Sequence, residues 1–173
     1  MCDSDWSSDV CSSDLLLDEL REMVKDALGQ RDKAVVAKDG MDIALLCIDT
    51  DKKTCYYAGA YNPLYLLHGG TLRKYKADRM PVGVHRKDHT PFQTNQVELA
   101  AGDKLYIFSD GMQDQFGGPD NEKFKPGRLR KLLQRVQHLP MDKQHGEIAH
   151  AFGQWRGGRP QLDDVLLVGM QVY

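Results

Sequence analysis

Lys104-Leu-Tyr-Ile-Phe-Ser-Asp110-Gly111-Met-Gln-Asp114-Gln-Phe-Gly-Gly118 is an apolar run that stops on an acidic turn. Leu105 to Phe108 are bulky throughout, the pattern of a strand buried on both faces, and Ser109-Asp110-Gly111 is a turn signal at its end. Such a strand aims a carboxylate. The strand fixes the backbone while the turn leaves Asp110 and a neighbouring carbonyl free to face a hard cation. Asp-Gly after a strand is equally the composition of a plain turn that holds no ligand.

Near the C-terminal end, Gln161-Leu162-Asp163-Asp164 leads into Val165-Leu-Leu-Val-Gly-Met-Gln-Val172, so a second buried-looking strand begins where two adjacent carboxylates end. Between the two acidic turns the spacing predicts a helix over Gly127–His138, with Leu129, Leu132, Leu133 and Val136 on one face and Pro140 closing it. A second helix is predicted over Met141–Trp155, with Ile148, Phe152 and Trp155 facing in and Gly157-Gly158 breaking it.

Upstream of Lys104 the pattern is strand after strand. Met41–Asp49 and Thr54–Ala60 flank a hairpin turn at Thr50-Asp-Lys-Lys53, and Leu64–His68 and Thr71–Lys76 flank Gly69-Gly70. Ala77–Pro91 reads as a loop over a sheet edge, and Phe92–Leu99 alternates loosely before the Ala100-Ala-Gly-Asp103 turn. Short connections of this kind imply an antiparallel meander. Before it, Leu16, Leu17, Leu20, Met23, Val24, Ala27 and Leu28 form the apolar face of a helix, with Asp18, Glu19, Arg21, Glu22, Lys25 and Asp26 opposite and Gly29 as its stop. The order is helix, six strands, two helices and one strand, an α+β pattern with helices on sheet faces and one globular unit as the default.

Met1 to Leu15 is set apart by its Ser-Asp-x-Ser-Ser-Asp-x-Cys-Ser-Ser-Asp pattern, which has neither the positive start nor the apolar core of a signal peptide. Asp9-Val-Cys-Ser-Ser-Asp-Leu15 looks like the translation of a common sequencing adapter, which would make residues 1–15 a non-native leader; the rival reading is an ordinary disordered tail. The formal charge is -2, from 23 basic and 25 acidic side chains. That balance argues against a nucleic-acid binder and gives no electrostatic drive towards a membrane. No apolar run approaches the roughly 18 residues a membrane-spanning helix needs. Of the four cysteines, Cys47 and Cys55 lie in apolar strands and read as buried thiols of a reducing cytoplasm, and no spacing suits zinc.

These stretches together resemble one family. A strand ending in Ser109-Asp110-Gly111, the later Asp163-Asp164 opening the last strand, Ala58-Gly-Ala-Tyr-Asn-Pro63, and Met80-Pro-Val-Gly83 are similar, in this order, to motifs of the metal-dependent PPM protein phosphatases. The bacterial SpoIIE-like serine/threonine branch is the most similar. Asp39-Gly-Met-Asp-Ile-Ala44 also sits where that branch has a strand. The resemblance implies an antiparallel β-sandwich flanked by helices, carried by residues 16–173 as the C-terminal part of an N-terminally truncated domain. It implies a site for two Mg²⁺ or Mn²⁺ ions, with Asp110 and Asp163 as ligands and Gly111, Asp114 and Asp164 as backbone or supporting groups. Asp114 either approaches that turn or simply forms the next one, and Asp164 caps or orients the strand start.

Two ions about 4 Å apart activate water and clamp a phosphate without a protein nucleophile. The family's two earlier acidic motifs, a Gly-Asp and an Asp-Gly-(His/Met)-Gly, are not matched, and Asp39-Gly40 precedes the wrong strand to replace them. The expectation is therefore a phosphoserine or phosphothreonine hydrolase in the parent protein, with little turnover in this chain. The implied partner is a cytoplasmic phosphorylated regulatory protein such as an anti-sigma-factor antagonist, with no membrane contact from this segment. The alternative is a non-catalytic phosphatase-like module that binds a regulatory protein.

Other polar groups read as surface. His85 and His89 fall in a charged loop, and His138, His145 and His150 lie on or near helices without a carboxylate cluster. Lys123, Lys125, Arg128, Arg130, Lys131 and Arg135 form a basic patch at one helix start, which reads as a solvated face.

Overall fold

A computed structural model of the chain describes residues 13–30 and 39–173. Most of the leader, residues 1–12, and the greater part of the polar link after Gly29 lie outside them. The described residues form helix α1 (Ser13–Ala27), strands β1 (Gly40–Met41), β2 (Ile43–Asp49), β3 (Thr54–Ala60), β4 (Leu64–His68), β5 (Thr71–Tyr75), β6 (Val82–Gly83), β7 (Asn95–Glu98) and β8 (Lys104–Phe108), then helix α2 (Gly111–Asp114). They continue with β9 (Phe116–Gly117), β10 (Glu122–Lys123), α3 (Lys125–Val136), α4 (Met141–Arg156) and β11 (Leu167–Gln171). The described residues form two compact units, residues 13–30 and 39–61 with 77–99, and residues 62–76 with 100–173. Each is built on its own antiparallel sheet, so the fold is the expected mixture of helices and antiparallel sheets.

In the first unit the sheet order is β2-β3-β7, with Ile43 opposite Ala60 and Cys55 opposite Val97. Helix α1 starts at Ser13, before the expected Leu16, because the Ser13 hydroxyl lies 3.0 Å from the Thr94 hydroxyl and the Asp14 N–H donates to the same oxygen at 2.9 Å. Its buried residues are Ser13, Leu17 and Arg21, one turn apart, while Leu16, Met23 and Leu28 are exposed. Arg21 therefore corrects the expected polar face. Its guanidinium donates to the carbonyls of Asp88 and Thr90, pairs with Asp18 at 2.6 Å and lies 4.2 Å over the Phe92 ring. The loop carbonyls and the ring receive a cation that periodicity assigns to water. Gly29, at φ +63°, ends the helix as expected: its N–H reaches the Asp26 carbonyl and the Gln30 N–H that of Lys25.

The segment expected as a bare loop over Ala77–Pro91 also pairs. Met41 and Gly40 face Val82 and Gly83 across a short antiparallel ladder, which gives Met80-Pro-Val-Gly83 a structural anchor. Cys55 is a buried free thiol. Cys47 corrects the paired expectation: it is half-buried on the edge strand β2 and is disulfide-bonded.

The second unit carries the acidic turns. Its sheet order is β11-β8-β4-β5, so the connections are not the simple meander expected: β8 returns beside β4, and β11 closes on β8 with Leu167 opposite Phe108 and Gln171 opposite Lys104. Tyr65, Leu67, Tyr106 and Phe108 pack with Leu129, Leu132, Leu133 and Val136 of α3 and Ile148 of α4 in one core cluster. Leu64, Leu66 and Leu105, on the opposite face of the same strands, are also buried, as the continuous apolar run required. Among the described residues no helix is long and apolar enough to cross a membrane.

At the start of β8 the ammonium of Lys104 is buried and donates to the carbonyls of Gln137 and, at 3.0 Å, Leu139, satisfying groups at the end of α3. Burial pushes the Lys104 pKa below the usual lysine value. Burial also raises the Cys55 thiol from 9.0 to about 11 and the Tyr106 phenol from 10.0 to about 12. Both groups stay protonated in the fold after the unfolded chain has begun to ionise. Their contribution is complete below about pH 9 and is lost as pH rises towards 12. Urea unfolding between pH 8 and pH 11 is expected to show falling stability, with a shallower slope in Cys55→Ala.

Candidate functional site

Strand β8 ends at Phe108, and Ser109 then joins the two acidic segments. Its N–H donates to the Leu166 carbonyl at 3.0 Å, its hydroxyl donates to the Asp164 carbonyl at 2.8 Å, and the same hydroxyl oxygen accepts the Leu166 N–H at 2.9 Å. One short side chain thus extends the β8–β11 ladder beyond its last strand pair. The next contact is closer still. A Cβ on Gly111 would overlap the Asp164 carbonyl oxygen and lie 2.9 Å from its carbon and 3.4 Å from that of Asp163. The turn bearing Asp110 and the turn bearing Asp163 meet there, and only glycine fits between them.

The carboxylates occupy that junction in different ways. Asp110 is exposed, stands at the start of α2 without capping it through its side chain, and its carboxylate has no hydrogen bond or ion pair among the described residues. Its backbone carbonyl accepts the N–H groups of Gln113 and Asp114 at 2.8 and 2.9 Å, and that of Gly111 accepts the Gln115 N–H at 3.1 Å. Asp163 is exposed and uses Oδ1 to accept the Asp164 N–H at 2.8 Å. Asp164 engages through its backbone, its side chain remaining exposed three residues ahead of β11. Asp114 ends α2 and pairs at 3.1 Å with Lys123. Among the described residues no set of three or more His, Cys, Asp or Glu side chains converges on a metal-sized centre.

The donor chemistry fits a hard divalent cation as far as it goes. Exposed carboxylate oxygens on two abutting turns are the ligands Mg²⁺ and Mn²⁺ prefer, with water filling the remaining positions. The side chains on these turns that could supply such oxygens are Asp110 and Asp163.

Residues that the sequence presents only as helix core, basic surface or turn formers support these turns. The segment after α2 runs under Trp155 of α4, whose ring and carbonyl leave no space for a side chain at Gly117 or Gly118. The Trp155 indole N–H donates to the Gln115 carbonyl at 3.1 Å, and the Gly118 N–H donates to the Trp155 carbonyl at 2.8 Å. Arg128 covers the indole at 4.3 Å and Phe124 meets it edge-on at 5.6 Å. In the basic patch, Lys125 and Arg128 pair with Glu122 at 3.2 and 3.5 Å. His138, His145 and His150 are exposed, as expected, while His85 is half-buried and accepts the Lys87 N–H. His68 and the buried Asp103 hydrogen-bond at 2.9 Å at the far end of β8, a pair that only the strand register brings together.

The family model for stage II sporulation protein E (SpoIIE) matches residues 9–173. Among solved structures, the SiaA-PP2C domain of Pseudomonas aeruginosa is similar at 22% identity with a TM-score of 0.73, over 92% of this chain and 68% of that one. The phosphatase domain of the cell-fate determinant SpoIIE from Bacillus subtilis, presoaked with Mn, is similar at 16% identity with a TM-score of 0.58, over 98% of this chain and 77% of that one. PppA, a key regulatory component of T6SS in Pseudomonas aeruginosa, is similar at 21% identity with a TM-score of 0.62, over 92% and 68%. These likenesses show the fold. The comparison with curated proteins gives no match.

Replacing Gly111 by alanine is expected to push the two acidic turns apart at a cost of about 1–3 kcal/mol. Ser109→Ala, which removes two hydrogen bonds without adding bulk, is expected to cost about 1 kcal/mol. Chemical unfolding of both variants beside the wild type measures the difference.

Proposed function

This chain belongs to the SpoIIE family, and from that premise we propose that its domain is a metal-dependent serine/threonine protein phosphatase in which Asp110 and Asp163 hold the metal. The observation that supports the reading is the abutment of their turns, with Gly111 seated against the Asp164 carbonyl. A bound Mg²⁺ or Mn²⁺ supplies positive charge for the phosphate oxygens and lowers the pKa of water. The chain's own part is to hold both carboxylates at the exposed junction of the two turns. Ser109 keeps the turns in register, and Asp164 supports Asp163 by donating its N–H to Oδ1.

The substrate in this reading is phosphoserine or phosphothreonine on a cytoplasmic regulatory protein of the anti-sigma-factor-antagonist kind, with no nucleic acid or membrane involved. Two carboxylates neutralise half the charge of two divalent ions. We therefore assign this chain, as it stands, weak binding of one ion and little turnover. The absence of a third converging acidic or imidazole ligand among the described residues also favours a second reading, a non-catalytic module that binds the same regulatory partner.

The test combines Mn²⁺ binding, followed by electron paramagnetic resonance, with hydrolysis of p-nitrophenyl phosphate. Weak binding lost in both Asp110→Asn and Asp163→Asn, with negligible turnover, is expected. Binding that survives both substitutions refutes the ligand assignment, and Mn²⁺-dependent turnover abolished by Asp110→Asn would show that two carboxylates suffice.

A further inference from the structure

Gln115 is one of the few polar side chains fully buried in the second unit, with 1% of its surface exposed, and every polar atom of its amide is used. Nε2 donates to the carbonyls of Phe116 and Pro160, both at 3.0 Å, and Oε1 accepts the Leu162 N–H at 3.3 Å. Its own N–H donates to the Gly111 carbonyl at 3.1 Å, while its carbonyl accepts the Phe124 N–H at 2.9 Å and the Trp155 indole N–H. One residue is therefore tied by its backbone to the turn of α2 that begins beside Asp110. Its side chain is tied to Pro160 and Leu162, the residues that lead directly into Asp163.

That second segment has no regular structure to hold it. Residues 160–166 lie between the end of α4 and the start of β11 without forming a helix or strand. Beyond Asp163 they are held by the Ser109 and Gly111 contacts and by Val165 packed on the core, and before it by the Gln115 amide and by Gln161, which accepts from Arg156 at 3.5 Å and donates to the Asp163 carbonyl at 2.9 Å. Ser109 fixes the segment after Asp163. Gln115 fixes it before.

We infer that Gln115 is a positioning residue that sets the placement of Asp163 relative to Asp110 by latching the segment 160–162 to the end of α2. The latch rests on the geometry alone; its consequence for a cation rests on the metal-ligand reading above. Partners that orient a ligand from behind in this way are typically worth about 10–100-fold in metal affinity.

The experiment pairs backbone amide exchange with Mn²⁺ binding in Gln115→Met, which keeps the volume and removes the amide. The amides of Leu162 and Asp164 are expected to exchange at least tenfold faster, with those of β8 unchanged, and Mn²⁺ affinity to fall about tenfold. Leu162→Pro removes the Leu162 N–H to Oε1 hydrogen bond from the exposed end and, having no amide of its own at 162, is expected to speed exchange at Asp163 and Asp164 and to lower Mn²⁺ affinity in the same direction if the buried substitution does not fold. Unchanged exchange at residues 162–164 in the folded variants overturns the latch. Faster exchange with unchanged Mn²⁺ affinity overturns the positioning role. A wild-type chain that binds no Mn²⁺, or binds it equally well after Asp163→Asn, removes the metal reading and the positioning role with it, while the exchange data still decide whether the latch exists.

Discussion

Two turns, each carrying an exposed carboxylate, touch backbone to backbone because one of them presents a residue with no side chain. Gly111 sits against the Asp164 carbonyl so closely that a methyl group would displace it. Much of the local design answers that constraint. Ser109 supplies the hydrogen bonds that a longer β8–β11 ladder would have supplied, Gln115 ties down the approach, and Trp155 roofs the glycines that follow. A polar junction at the surface is thus backed by a dry, aromatic layer, where the cost of moving any piece is set by packing rather than by competition with water.

The elements themselves were legible because they obey simple periodicities. Thr54–Ala60 and Leu64–His68 were bounded correctly by turn chemistry, and the last helix to within one residue by Pro140 and Gly157, while the helix before it was found by leucine spacing but lies two residues earlier, over Lys125–Val136. The acidic turns were legible for the same reason: strand, then Asp-Gly, is a local pattern. Their contact was visible only through the family resemblance. Nothing in the residues between Asp114 and Gln161 states that β11 returns to lie beside β8, since sheet order depends on contacts distant in sequence.

What the sequence concealed were polar groups that behave against type. Arg21 stands among charged neighbours on a helix, yet its guanidinium is buried because Asp88 and Thr90 turn their carbonyls towards it. Gln115 sits in a glycine-rich stretch that suggests a turn, and its amide instead fills a buried position. Lys104 opens the central strand with a charge, and burial is tolerated because the end of α3 supplies acceptors. In each case the partner is a backbone carbonyl from a remote segment, and carbonyls leave no trace in composition or periodicity.

Lys104 at one end of β8 and Ser109 just past the other have a joint consequence. Both are pinned to backbone groups of other segments, so the strand between them behaves as a ruler clamped at both marks. Slippage by one residue would exchange the faces of Leu105, Tyr106, Ile107 and Phe108 and break both clamps together. The height at which Asp110 emerges is therefore quantised: the strand holds its single register or releases the turn altogether, with no partial displacement available in between.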